Sequence, residues 1–282
     1  MAGLALKAGL RDIFLEGSRH VSELGGYATI SGSEAWIDAL NLRHKELNDL
    51  LREVASQGAR DITVRNVFGQ RYIGTRLTTV PGSDVNLKIY GTAGNDLGAF
   101  LNGQRLTVYG NAQDGVGNTM NDGEIVVHGK AGDVAAMSMR GGKIFIRNNV
   151  GYRTAIHMKQ YNDKVPVLVI GGTAQDFFGE YMAGGIVILL GLALSRDKNH
   201  NASYIGTGMH GGVIFVRGNI EKSQLGKDVG IYETDDRDLE IIRQYSGEFA
   251  QRFDLNTEDI LQGHFRKILP LSKRPYGSIY AY

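Results

Sequence analysis

Six residues spell the pattern most often associated with dinucleotide binding: Gly206-Thr207-Gly208-Met209-His210-Gly211 reads G-x-G-x-x-G. That chemistry needs a strand before the motif and a helix after it, because the helix N-terminus holds the pyrophosphate. Here the aliphatic alternation VIFVRG follows at 213–218, which is strand-like. The helix is missing, and no nucleotide site is assigned. The seven histidines form no ligand set by spacing. His128 sits in a strand-like segment, His157 and His210 fall in different registers, and His200 lies in an insertion. His20, His44 and His264 stand outside the repeating region described below. A metal site needs converging ligands at compatible spacing. The chain has no cysteine, which removes disulfides, thiolate nucleophiles and Cys-ligated clusters from it. No G-x-S-x-G elbow occurs. Asp235 and Asp236 open a helical pattern, where carboxylates complement the helix dipole. No catalytic, cofactor-binding or metal-ligating residue is therefore assigned.

What repeats is a short strand ending in Gly or Asn. It reads ITVRN (62–66), LKIYG (87–91), LTVYG (106–110), IVVHG (125–129), IFIRN (144–148), VLVIG (167–171), VILLG (187–191) and IFVRG (214–218). Three consecutive start-to-start intervals are 19 residues, and the longer ones are read as loop insertions. A second column, 14 residues after each strand start, holds Leu101, Met120, Met139 and Met158, continued with small shifts by Met182 and Met209. Unbranched, polarizable thioethers fill irregular gaps, so this column is read as a core stack. The closing position of each strand holds Asn66, Gly91, Gly110, Gly129, Asn148, Gly171, Gly191 and Gly218. Gly, and secondarily Asn, tolerates positive φ, so a left-handed corner is expected there.

Within each strand the first and third residues are aliphatic, which places them on one face. A 19-residue unit cannot bury such a face alone, but stacked units can. The expected fold is all-β: a single-stranded parallel β-helix of about seven to eight coils, rising about 4.8 Å per coil. The second strand position runs Thr63, Lys88, Thr107, Val126, Phe145, Leu168, Ile188 and Phe215, polar at first and apolar later. An outward apolar ladder needs cover. Val126, Phe145, Leu168, Ile188 and Phe215 are accordingly read as a partner interface, with the chain's own C-terminal helix and tail as the alternative cover.

Exposed strand edges at the two ends also need covering. Residues 42–57 place Leu47, Leu50, Leu51 and Val54 on one helical stripe, with Asn41 as cap and Gly58 as stop. A second helix is expected over 235–253, burying Leu239, Ile242, Phe249 and Phe253, and a short one near 257–262 capped by Thr257. Residues 1–32 read as an irregular arm and 264–282 as an extended tail. The expected division is 1–58 (arm and capping helix), 59–232 (repeats) and 233–282 (C-terminal helices and tail). Net charge is +1, from 31 basic and 30 acidic residues, which gives no footprint for nucleic acid. No run of 18 apolar residues suggests a membrane span. Arg11, Asp12 and Glu16 stand where a signal peptide would be apolar, so a cytoplasmic location is expected.

These segments resemble the G-x-G-x-G domain at the C-terminus of the glutamate synthase large (alpha) subunit. The resemblance rests on GKAGDVAAMSMRGGKIFIRNNVGYRTAIHMK (129–159), VPVLVIGGTAQDFFGEYMAGGIVILLG (165–191) and YIGTGMHGGVIFVRG (204–218). It extends to the helical segment 44–74 and the tail LPLSKRPYGSIY (269–280), as in stand-alone archaeal-type versions. The resemblance implies a right-handed solenoid with α-helical caps and no chemistry of its own. It implies a structural subunit of a glutamine:2-oxoglutarate amidotransferase complex, scaffolding amidotransferase and FMN-dependent synthase subunits. FMN and iron–sulfur clusters would then reside in those partners. The same domain type also occurs in formylmethanofuran dehydrogenase and N-methylglutamate synthase, so a complex of either kind is the alternative.

Overall fold

The computed structural model describes residues 20, 25–75, 77, 84–195 and 198–272. Its strands are β1 (Ala28–Ser31), β2 (Glu34–Asp38), β3 (Asp61–Phe68), β4 (Asn86–Thr92), β5 (Asn102–Tyr109) and β6 (Asp122–Val127). They continue as β7 (Lys143–Ile146), β8 (Val167–Ile170), β9 (Ala183–Leu189), β10 (Gly211–Arg217), β11 (Val229–Glu233) and β12 (Phe265–Pro270). The helices are α1 (His44–Ser56), α2 (Asp236–Phe253) and α3 (Thr257–Leu261).

The expectation of an all-β, single-stranded right-handed parallel β-helix with helical end caps is corrected. The strands form one mostly parallel sheet of twelve, in the order β1-β2-β3-β4-β5-β6-β7-β8-β9-β10-β12-β11. β2 to β10 pair in parallel. β1 with β2, β10 with β12, and β12 with β11 are antiparallel. The end strands lack the repeat signature, so periodicity alone does not find them. One of them, β1, lies in the stretch expected to be an irregular arm. The far edge is covered by β12 and β11, and α2 lies on the sheet face against β8.

The inward face of the strands builds the main core. Ile62, Val64, Leu87, Ile89, Leu106, Val108, Ile125 and Val127 are all essentially inaccessible. Leu101, Met120, Met139, Met158, Met182 and Met209 join the same cluster at 0–2 % exposure. α1 adds Leu47, Leu50, Leu51 and Val54 to it. Its N-cap is Arg43 rather than Asn41: Glu46 folds back to accept from the Arg43 backbone N–H at 2.9 Å.

The connections between strands are as regular as the strands. Left-handed residues stand at alternate positions: Asp96/Gly98/Phe100, Gly115/Gly117/Thr119, Val134/Ala136/Ser138, Arg153/Ala155/His157 and Phe177/Gly179/Tyr181. The middle residue donates its N–H one unit back, as in Gly117 to Leu97 (2.8 Å), Ala136 to Val116 (2.7 Å) and Ala155 to Ala135 (2.8 Å). The flanking residues donate one unit forward, as in Gly115 to Asp133 (2.9 Å) and Thr119 to Met137 (2.8 Å). These bonds hold non-glycine residues in a region that disfavours L side chains, most of all the β-branched Val134.

The strand-closing positions divide. Asn66, Gly91, Gly191 and Gly218 have positive φ, as expected. Gly110, Gly129, Gly171 and Asn148 do not, which corrects the left-handed reading there. At Gly110 the requirement is close approach: a Cβ would lie 2.0 Å from the Gly91 carbonyl oxygen. Gly171 also falls one residue out of column, because β8 pairs Ile170 with Ile146 and so sets Gly171 level with Arg147.

Two stability changes are expected in urea denaturation. Met139→Ala empties part of the shared core and costs about 2–5 kcal/mol. Val134→Gly relieves the left-handed strain and stabilises by about 1 kcal/mol, the low end of that penalty.

Candidate partner-docking face

The outer face of the sheet is half covered and half open. α2 forms because Asp235 caps it, accepting from the Asp238 N–H at 3.0 Å, while Lys267 of β12 bonds Asp235 at 2.9 Å. The Lys267 hydrogen bond holds the Asp235 carboxyl below its usual range, and Lys267 is raised first by Asp238 and then by Asp235. The buried stripe of α2 is Ile242, Ser246, Phe249, Ala250 and Phe253; Leu239, expected there, is half exposed instead. The stripe lies on Val126, Phe145, Val167, Val169, Ile188, Leu190 and Phe215, which form a second core with it. Two charged contacts orient the helix. Lys143 Nζ meets Glu248 at 2.7 Å, and Arg252 Nε donates to Glu124 at 3.0 Å.

Four of the five residues expected at a partner interface, Val126, Phe145, Ile188 and Phe215, are therefore covered by the chain itself and are 0–3 % exposed. The fifth, Leu168, faces the opposite way, in the main core. The cause is register: β8 pairs Leu168 with Ile144 and Val169 with Phe145. A one-residue slip in an alternating strand exchanges the faces.

Beyond the end of α2 the same face is open. Trp36, Tyr90 and Tyr109 are about 40 % exposed. Tyr90 stacks on Tyr109 (centroids 4.7 Å), Tyr109 on His128 (4.8 Å), and His128 meets the edge of Phe253 (5.1 Å). Arg65 lies over the Tyr90 ring at 5.7 Å. Burial, and then the charge of Arg147, depress the His128 pKa. Arg65, Tyr90, Tyr109, His128 and Arg147 are all fourth-position residues of the repeating strand. The repeat register sets them in one column, but the apolar signal of the second position draws the reading away from them.

The other candidates are scattered. His200 is buried, with Nε2 2.9 Å from the Arg217 carbonyl oxygen; His157 stacks on Tyr181; His264 pairs with Glu233 at 3.2 Å. Among the described residues no group of three or more His, Asp or Glu could hold a metal ion. Gly206 and Gly208 are left-handed residues of a connection, and the Gly208 N–H already donates to Asp228 at 2.9 Å. The strand β10 follows them. No helix among the described residues is long and apolar enough to cross a membrane.

The GXGXG motif family model matches residues 46–271. The chain belongs to that family, which is the family of the C-terminal domain of glutamate synthase alpha. It is 48 % identical over 258 residues to a Methanocaldococcus jannaschii protein described as uncharacterized, covering 88 % of this chain and 96 % of that one.

Neutral His128 is favoured in the folded state, so the unfolded state binds the extra proton as pH falls through about 6.5. Stability is therefore expected to drop between pH 7.5 and 5.5. His128→Phe, which keeps the ring stack, should shrink that drop in paired thermal melts, with His44 and His200 supplying the remainder in the same direction.

Proposed function

We propose that this protein is a cytoplasmic, non-catalytic scaffold subunit of a glutamate synthase-type complex. It positions an amidotransferase subunit and an FMN-dependent synthase subunit, and the FMN and iron–sulfur clusters belong to those partners. The observation that carries the reading is the family match across residues 46–271. Two further features support it. The apolar part of the outer sheet face, from Val126 onward, is sealed by the chain's own α2. What stays open on that face is aromatic and charged, a composition suited to contacts with other proteins.

The test is reconstitution. Co-expression with an amidotransferase and an FMN synthase encoded in the same genome is expected to yield a stable ternary complex. Glutamine-dependent glutamate formation from 2-oxoglutarate should require this chain, while the chain alone is inactive. Full glutamine-dependent activity of the two partners without it would refute the scaffold role. Co-purification with a molybdenum or tungsten enzyme instead would replace the partners named here.

A further inference from the structure

We propose that the open outer sheet face from Arg65 to Arg105, with the exposed Arg147 at the margin of α2, is the docking site for an acidic, extended segment of a partner protein. The cations are Arg65, Lys88, Arg105 and Arg147, one each on β3, β4 and β5 and just past β7, and all four are exposed. Among the described residues none of them forms an ion pair. The covered half behaves differently: Lys143 has Glu248 and Glu124 has Arg252, both supplied by α2. The sheet therefore already accepts one occupant by charge matching, and the open strip continues directly from the point where Phe253 meets His128.

Composition decides what kind of occupant fits. Under α2 the second-position column is apolar (Val126, Phe145, Val169, Ile188, Phe215), and an apolar helix lies on it. In the open half the same column is Thr63, Lys88 and Thr107, so a second apolar helix would strand Lys88. The carboxylates nearest the strip are Asp38, level with Arg65, Asp61 at the same edge, and Glu124, level with Arg105. They accept from Asn66 (2.8 Å), Asn86 (3.2 Å) and Arg252 (3.0 Å) rather than from a strip cation, so the local charge is partly balanced by proximity while Lys88 and Arg147 have no carboxylate level with them on an adjacent strand. Four strand spacings separate Arg65 from Arg147, about 19 Å, which an extended segment of about six residues spans. Tyr90 and Tyr109 present stacked ring edges and hydroxyls between the charges. Tyr, Trp and Arg together are the side chains that dominate protein interfaces. The chain's near-zero net charge favours a protein over a nucleic acid, whose binding draws on a broadly basic domain.

The identity of the occupant as a subunit rests on the scaffold reading, but the strip is tested without any subunit. A fluorescein-labelled (Glu-Ala)6 peptide is titrated into the full chain by anisotropy at low salt, with (Lys-Ala)6 and a labelled dT12 oligonucleotide alongside. Saturable binding of the acidic peptide is expected, weakening as salt rises. Arg65→Ala/Arg147→Ala should weaken it at least tenfold. Lys222→Ala/Lys227→Ala, which removes two exposed cations elsewhere, should leave it within twofold, with thermal melts confirming that both variants fold. Unchanged affinity in the strip variant would overturn the proposal. So would dT12 binding more tightly than the peptide with the same sensitivity to Arg65 and Arg147. Peptide binding that persists when no ternary complex assembles refutes the scaffold reading alone.

Discussion

The structure depends on the backbone hydrogen bonding between consecutive connections. A parallel strand ladder needs each chain segment to return to the same side, which usually takes a dozen or more residues and often a helix. Here the return is made by connections that bond both to the unit before and to the unit after. That two-way bonding holds alternate residues in the left-handed region, only some of them glycine, while other glycines, such as Gly110 and Gly171, answer to close approach of the neighbouring unit's backbone. Where the sequence places Val134, Arg153 or Tyr181 at such a position, the neighbouring units hold it there. The methionine column follows from the same geometry. It closes each pair of turns, as where the Met120 N–H donates to the Gly117 carbonyl at 3.1 Å, and sends an adaptable side chain inward.

On the outer face the sheet is a strip of uniform backbone with a changing side-chain programme. From Val126 onward it is apolar and takes α2; before that it is aromatic and charged and stays open. The uniform rise per unit sets fixed distances along the face.

Much of this architecture is legible in the sequence. The 19-residue interval, the aliphatic alternation and the methionine column locate β3 to β10 and most of the core. The stripe of leucines marks α1, and the paired aspartates mark the start of α2. The misreadings have physical causes. β8 follows an insertion, and its four aliphatic residues VLVI offer no polar mark to fix the register, so Leu168 falls on the wrong face and Gly171 in the wrong column. β1, β11 and β12 pair antiparallel and so share no motif with the repeats. The placement of α2 on the face, rather than over an edge, depends on Phe249 and Phe253 packing with Val126 and Phe145, far earlier in the chain. No local pattern encodes that contact. The exposed strip is aligned by the repeat yet unremarkable in it, because Arg, Tyr, Tyr, His and Arg look like ordinary surface until their rings are seen to stack.

The reversal of direction at β12 bears on how such a chain can grow over evolutionary time. A duplicated unit appended after the last parallel strand would meet a neighbour running the opposite way, with its bonding partners out of phase. New units can enter only between existing ones, where both flanks offer the matching pattern. Members of differing length should therefore vary by whole internal insertions while keeping both termini, and the helix-covered region and the open strip should move apart by one step for each addition made between them.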